Sequence, residues 1–201
     1  MTGRSPELQS LIDLTEAAVI AQSKSLPSVM PLAEKIFASL RRREPEAGGG
    51  QPHRLPVCDE FATAVSIARH GPSPIPELAN AFAAIEPQLG WHPRAGADKV
   101  AGNFSERHAN AEIISANGLE YSDEVRIGTS LVAPNTDYPR HQHPPEEFYV
   151  VLSPGEWMQD DQPLQARRSG DLVHNVPNIW HAMRSDETPL LAIWCLWIAD
   201  A

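Results

Sequence analysis

Hydrophobic positions change their spacing near residue 110, and that change divides the chain in two. In the first half they recur at helical intervals. Leu8, Leu11, Ile12, Leu14, Ala18 and Val19 follow Pro6-Glu7 near helical spacing, which predicts an amphipathic helix. A second helix is expected from about Pro31 to Arg43, with Leu32, Ile36, Phe37 and Leu40 on one face. The run Arg41-Arg42-Arg43 falls where positive charge suits the carbonyl end of the helix dipole. Two shorter helices are expected near Asp59–Ala68 and Ile75–Ile85. Between the two pairs, Glu44 to Pro56 carries Gly48-Gly49-Gly50 and reads as a flexible linker or long loop. Trp91-His92-Pro93 reads as the turn that leaves the helical part.

From about Ala111 the period shortens to two. Val125, Ile127, Thr129 and Leu131 alternate with polar or small partners, the pattern of a half-buried strand. Strands are expected over Ala111–Ser115, Glu124–Ala133, Phe148–Leu152, Leu172–Val176 and Leu190–Ile198. The last is apolar on both faces, so it is expected as a central strand covered on one side by the N-terminal helices. Pro154-Gly155 and Ser169-Gly170 mark turns. Short, regularly punctuated strands suit a jelly-roll barrel. The expected organisation is a helical region over residues 1–105 packing on a mainly β domain over 106–201.

Composition narrows the function classes. A chain of 201 residues allows one domain with a helical extension. Its formal charge of −10 argues against nucleic-acid and anionic-membrane partners, which call for basic patches. Cys58 and Cys195 form no paired motif, which suits a reducing compartment. The first 22 residues hold no continuous apolar stretch and carry Glu7, Asp13 and Glu16, so no signal peptide or membrane span is expected. Cytoplasmic location is the default expectation.

The chemistry concentrates in Tyr138-Pro-Arg-His141-Gln-His143-Pro-Pro-Glu-Glu147-Phe-Tyr149, answered by His181. Residues two apart on a strand share a face, so His141 pairs with His143 and Glu147 with Tyr149. Pro144-Pro145 forbids a continuous paired strand and reads as a bend that lets His143 and Glu147 converge. Three imidazoles with one carboxylate suit zinc, iron, nickel, cobalt or manganese, with coordination positions left for a substrate. His53, His70, His92, His108 and His174 lack comparable partners and are expected to be exposed or packing residues.

These residues resemble the two motifs of the cupin superfamily. His141, His143 and Glu147 match the first; Gly170, Asp171 and His181 match the second. Thr136 stands where the first motif has a glycine, Pro177 is one place late, and Ser185 replaces a usual asparagine. Asn178 replaces a common glycine, and asparagine tolerates the left-handed backbone that such a turn needs. Tyr138 and Tyr149 sharpen the likeness to the cupin-type dimethylsulfoniopropionate (DMSP) lyases of the DddQ type. That resemblance implies a cupin barrel, one divalent ion (zinc, iron or manganese) on His141, His143, Glu147 and His181, and a small zwitterionic organosulfur substrate. It also implies β-elimination with Tyr149 as the catalytic base and Tyr138 binding substrate, with the role of base left open between the two, and pairing of chains into a homodimer. A sulfonium favours an aromatic face, with Tyr138, Trp180, Trp194 and Trp197 as candidates. Two other readings use the same ligands: an iron dioxygenase, and a non-catalytic cupin that binds a small ligand.

Overall fold

The computed structural model describes residues 4–100 and 102–199. The outer ends of the two expected segments, Met1 and Ala201, therefore lie outside the described residues. Four helices come first: α1 (Pro6–Ala21), α2 (Met30–Arg42), α3 (Phe61–Ala68) and α4 (Ile75–Ile85). The Ser5 side chain caps α1 by accepting from the Leu8 amide, and Pro6 occupies the first turn, where its missing N–H is harmless. The arginine run at the end of α2 is spent on ion pairs. Arg41 meets Glu16, Arg42 meets Glu124 and Arg43 meets Asp123. A one-turn helix, α5 (Phe104–Arg107), leads into the sheets.

Among the described residues there are ten strands, β1 before α5 and the rest after it. They are β1 (Trp91–His92), β2 (His108–Ile114), β3 (Val125–Val132), β4 (Thr136–His141), β5 (Glu147–Ser153), β6 (Gly155–Gln159), β7 (Gln165–Arg167), β8 (Leu172–Asn175), β9 (His181–Ser185) and β10 (Leu190–Trp197). One sheet runs β1-β2-β3-β10-β5-β8 and the other β4-β9-β6-β7, and all their strand pairs are antiparallel. Facing each other, they form the cupin-type jelly roll behind a helical region.

Alternation along β5 and β10 shows how one sheet serves two cores. Phe148, Val150 and Leu152, with Leu191, Ile193 and Cys195, join the apolar core of the helices. Tyr149 and Val151, with Ala192, Trp194 and Leu196, join the barrel interior. The double-faced apolar character of β10 has this cause, and β10 lies between β3 and β5 as a central strand. Phe37 of α2 reaches the sheet at Phe148, ring centroids 6.5 Å apart.

Two segments differ from expectation. Glu44 to Pro56 is no loose linker where its glycines lie. Gly48, Gly49 and Gly50 donate their amides to the carbonyls of Leu119, Ala116 and Gly118. The backbones approach so closely that a Cβ on Gly48 would collide with the Gly118 carbonyl. Trp91-His92 is more than an exit turn. It adds an edge strand, with Trp91 opposite Ala111, and so ties the helical part to the barrel.

Candidate active site

The proline bend joins the two sheets rather than two halves of one strand. β4 ends at His141, and β5 begins at Glu147 in the other sheet. His143 lies on the connecting segment, outside both strands. His141 pairs directly with His181 across β4 and β9. Ligand-type side chains thus approach one point from both walls of the barrel and from the bend between them. The Asn178 turn before β9 adopts the left-handed conformation, with φ 61°, as its side chain permits. The Ser185 hydroxyl accepts the Thr136 amide and donates to the Ala133 carbonyl, holding the entry to β4.

His143, Glu147 and His181 offer three donor atoms within 4.8 Å of one another. Glu147 Oε2 lies 3.4 Å from His143 Nε2 and 3.6 Å from His181 Nε2. The His141 ring adjoins this trio, with its centroid 4.1 Å from that of His181. Each imidazole has Nδ1 against a backbone carbonyl: His141 on Pro139, His143 on Pro145 and His181 on Ile179, at 2.9, 2.9 and 3.0 Å. Those carbonyls require Nδ1–H and so turn the Nε2 lone pairs inward. His181 Nε2 is buried with no hydrogen-bond partner. A buried orphan nitrogen facing a carboxylate and a second imidazole suits a metal-ligand position. Asn175 donates to Glu147 Oε2 at 2.9 Å, and Gln159 donates to Asn175 Oδ1 at 2.7 Å. This chain of hydrogen bonds sets the carboxylate's orientation.

The electrostatics agree with that donor set. Burial, aided by the charge of His181, pushes His141 down to about 3. Burial also lowers His181, against the pull of Glu147. His143 is lowered by burial but ends above its ordinary value, because its hydrogen bond and charge contact with Glu147 outweigh that loss. Neutral His141 and His181 are in the form that binds metal.

Both tyrosines are buried and line the same cavity of about 450 Å³. Burial first, then the charge of the nearby Glu147 carboxylate, holds the Tyr149 phenol well above the usual range. Tyr138 is also raised by burial, while Asn110 donates to its oxygen at 3.3 Å. Ser130 donates in turn to Asn110 at 2.8 Å. Of the tryptophans, Trp194 alone lines this cavity. Its indole occupies the space a side chain on Gly128 would need. Trp180 is exposed beneath Arg140, and Trp197 lies under Lys35.

Sequence reasoning missed Arg94, Asn110 and Asn175. Arg94 and Asn110 lack motif spacing, because the pairing of β1 and β2 brings them to the cavity. Asn175 was within reach, since it lies in the β8 segment and directly opposite Glu147. A second recess, about 520 Å³, lies between the end of α1 and β8 and shares none of the three clustered donors.

Fold and site together define a cupin-type barrel whose interior carries a histidine–carboxylate cluster. The family model for DMSP lyase matches residues 31–192, and the chain belongs to that family. DddL from Cereibacter sphaeroides is 28% identical over 157 residues, covering 77% of this chain and 65% of its own. The DMSP lyase DddQ from Ruegeria pomeroyi is 27% identical over 124 residues, covering 61% of each. The chain thus spans somewhat under two thirds of the length of these curated relatives. The crystal structure of DddQ from Ruegeria pomeroyi superposes with a TM-score of 0.70 at 22% identity, covering 96% of this chain and 92% of that one, and shares its fold.

Proposed function

We propose that the protein cleaves DMSP to acrylate and dimethyl sulfide by β-elimination. The observation that carries this reading is the placement of Tyr149. Its phenol is buried in the cavity that Glu147 of the three-donor cluster also lines. His143, Glu147 and His181, with His141 adjoining, would hold one divalent ion such as zinc, iron or manganese. When bound, that ion supplies positive charge and Lewis acidity beside the phenol and the substrate carboxylate.

Tyr149 takes the proton from the carbon beside the carboxylate. The electron pair released forms the C=C bond, the C–S bond breaks, and dimethyl sulfide leaves as a neutral molecule. The sulfonium is a good leaving group without protonation, which suits a cavity lined by few acids. A phenol held above its ordinary value needs a neighbouring cation to become a base. Tyr138, fixed by Asn110, is assigned to substrate binding, and Trp194 offers the sulfonium an aromatic face. The helical region, 1–105, is assigned to bracing the barrel, 106–201.

Purified protein supplied separately with zinc, iron(II) and manganese, then given DMSP without oxygen, should release dimethyl sulfide into the headspace. The Tyr149→Phe variant should keep its metal and lose turnover by about 10²- to 10⁴-fold. Strict oxygen dependence would instead support the dioxygenase reading, and unchanged turnover in the variant would exclude Tyr149 as the base.

A further inference from the structure

We propose that Arg94 grips the carboxylate end of the substrate and thereby sets which way a zwitterion enters the cavity. This deepens the lyase reading and rests on it for the identity of the substrate. Arg94 lines the cavity together with His141, His143, Glu147 and Tyr149. Two guanidinium groups share that lining. Arg126 lies 3.7 Å from Glu112, whereas Arg94 has no carboxylate partner among the described residues. A cation left unpaired beside a buried site, in a chain of net charge −10, is poised for an anion.

Its position is built rather than incidental. The Arg94 backbone amide donates to His108 Nε2 at 2.8 Å. The guanidinium packs over the Tyr138 ring, 5.6 Å from its centroid, and Nη1 reaches the Pro139 carbonyl at 3.4 Å. These contacts hold the group while occupying few of its five donors. The remaining fork matches a carboxylate in plane, with two parallel N–H···O bonds. A carboxylate has about four lone-pair sites, so contact with Arg94 leaves others free.

Direction follows from charge. A sulfonium is repelled by Arg94 and attracted to an aromatic face, and Trp194 enters the cavity from β10, whereas Arg94 comes from the segment just after the edge strand β1. A carboxylate-first orientation leaves the carbon beside it among Arg94, Tyr138 and Tyr149. The reversed orientation would set two positive groups together. Arg94 therefore selects for acids over the matching amides and esters.

Propionate is the probe, because it keeps the carboxylate and lacks the leaving group. Binding is measured calorimetrically at pH 8 on metal-free protein, so that no ion competes for the carboxylate. Wild type should bind propionate at least tenfold more tightly than Arg94→Gln, with propionamide binding unchanged by the substitution. Equal propionate affinity in the variant, or an equal loss for propionamide, would overturn the proposal. A measurement on the unaltered protein guards against misfolding of the variant: phenylglyoxal should modify Arg94, and propionate should protect it. Mass spectrometry that finds Arg94 modified equally with and without propionate would also overturn it. Wild type that binds propionate through Arg94 and releases no sulfide from DMSP would sink the lyase reading alone and leave the carboxylate grip standing.

Discussion

Two sets of histidines in this chain are built from the same side chain and do opposite things. His108 and His174 have both ring nitrogens engaged. His108 meets the Phe104 carbonyl and the Arg94 amide; His174 meets the Ser28 hydroxyl and Glu146. Each joins parts of the chain that lie far apart or turn sharply, and each is complete. His141, His143 and His181 have Nδ1 anchored on a neighbouring carbonyl and Nε2 turned toward Glu147 or one another. A saturated imidazole is a structural link; one anchored at Nδ1 beside a buried carboxylate is a prepared ligand, which sets the trio apart from His53, His70 and His92, anchored at Nδ1 but outside the cluster. Burial does not separate the sets, because His108 and His181 are both at 0% exposure.

The strongest way to break that contrast is to remove a half-satisfied ring. His181→Ala should lower divalent-metal affinity more than about 100-fold, beyond what loss of a supporting residue does. Metal content after dialysis against zinc or manganese reads this directly. The same substitution in His174 should leave metal content within a fewfold of wild type. If the two variants retained metal equally, the distinction between saturated and unsaturated rings would fail.

Asn175 sharpens the contrast one shell further out. Its amide fixes Glu147 Oε2, and Gln159 fixes the Asn175 amide. Asn175→Ala frees that carboxylate to rotate, and metal affinity should fall about 10- to 100-fold with the fold retained. Titration with a competing chelator measures the loss; an unchanged affinity would mean that the barrel walls alone hold Glu147.

These two tests mark where the sequence was legible. His141, His143 and Glu147 stand out in one short segment and His181 in a second motif; the proline bend is legible there, but strand parity does not place His143, which lies outside both strands. The helices at Ile75–Ile85 and around Met30–Arg42 were legible because three- and four-residue spacing is written within one element. β4, β6, β7 and β9 carry weaker patterns, since polar or proline positions interrupt them and pairing across the sheet sustains them. Arg94 and Asn110 reach the cavity only because β1 adds to the edge of β2, a contact between segments some twenty residues apart. Gly48-Gly49-Gly50 misled in the other direction. Glycine marks both a free chain and a close backbone approach, and only the partner at Ala116 to Leu119 decides between them.

Among the saturated rings, His108 should show its effect in stability rather than in metal. It stacks on Phe104 with centroids 3.8 Å apart and carries the Arg94 amide. His108→Ala leaves that amide and the Phe104 carbonyl without their partner, which costs about 1–3 kcal/mol per buried group. Urea denaturation of the metal-free protein should show the loss, while zinc stoichiometry stays at the wild-type value. A metal loss as large as that of His181→Ala would put His108 among the ligands and overturn its role as a link.

The smallest expected effect is the pH dependence of that link. His108 must be neutral, because Nε2 accepts the Arg94 amide while Nδ1–H serves Phe104. Burial lowers its pKa from the ordinary 6.5, and the charges of Arg94 and His92 add to the effect. Below pH 6.5 the unfolded chain therefore binds a proton that the folded chain refuses. The stability contribution is complete above that pH and is lost as pH falls toward the folded value, by at most about 1.4 kcal/mol per pH unit. His141 and His181 share the direction, so the measurement is a difference: urea midpoints of metal-free wild type and His108→Gln from pH 7.5 to 5.5. The wild-type curve should fall more steeply than that of the variant. Parallel curves would mean that His108 titrates alike in both states and that its two hydrogen bonds do not hold the ring neutral.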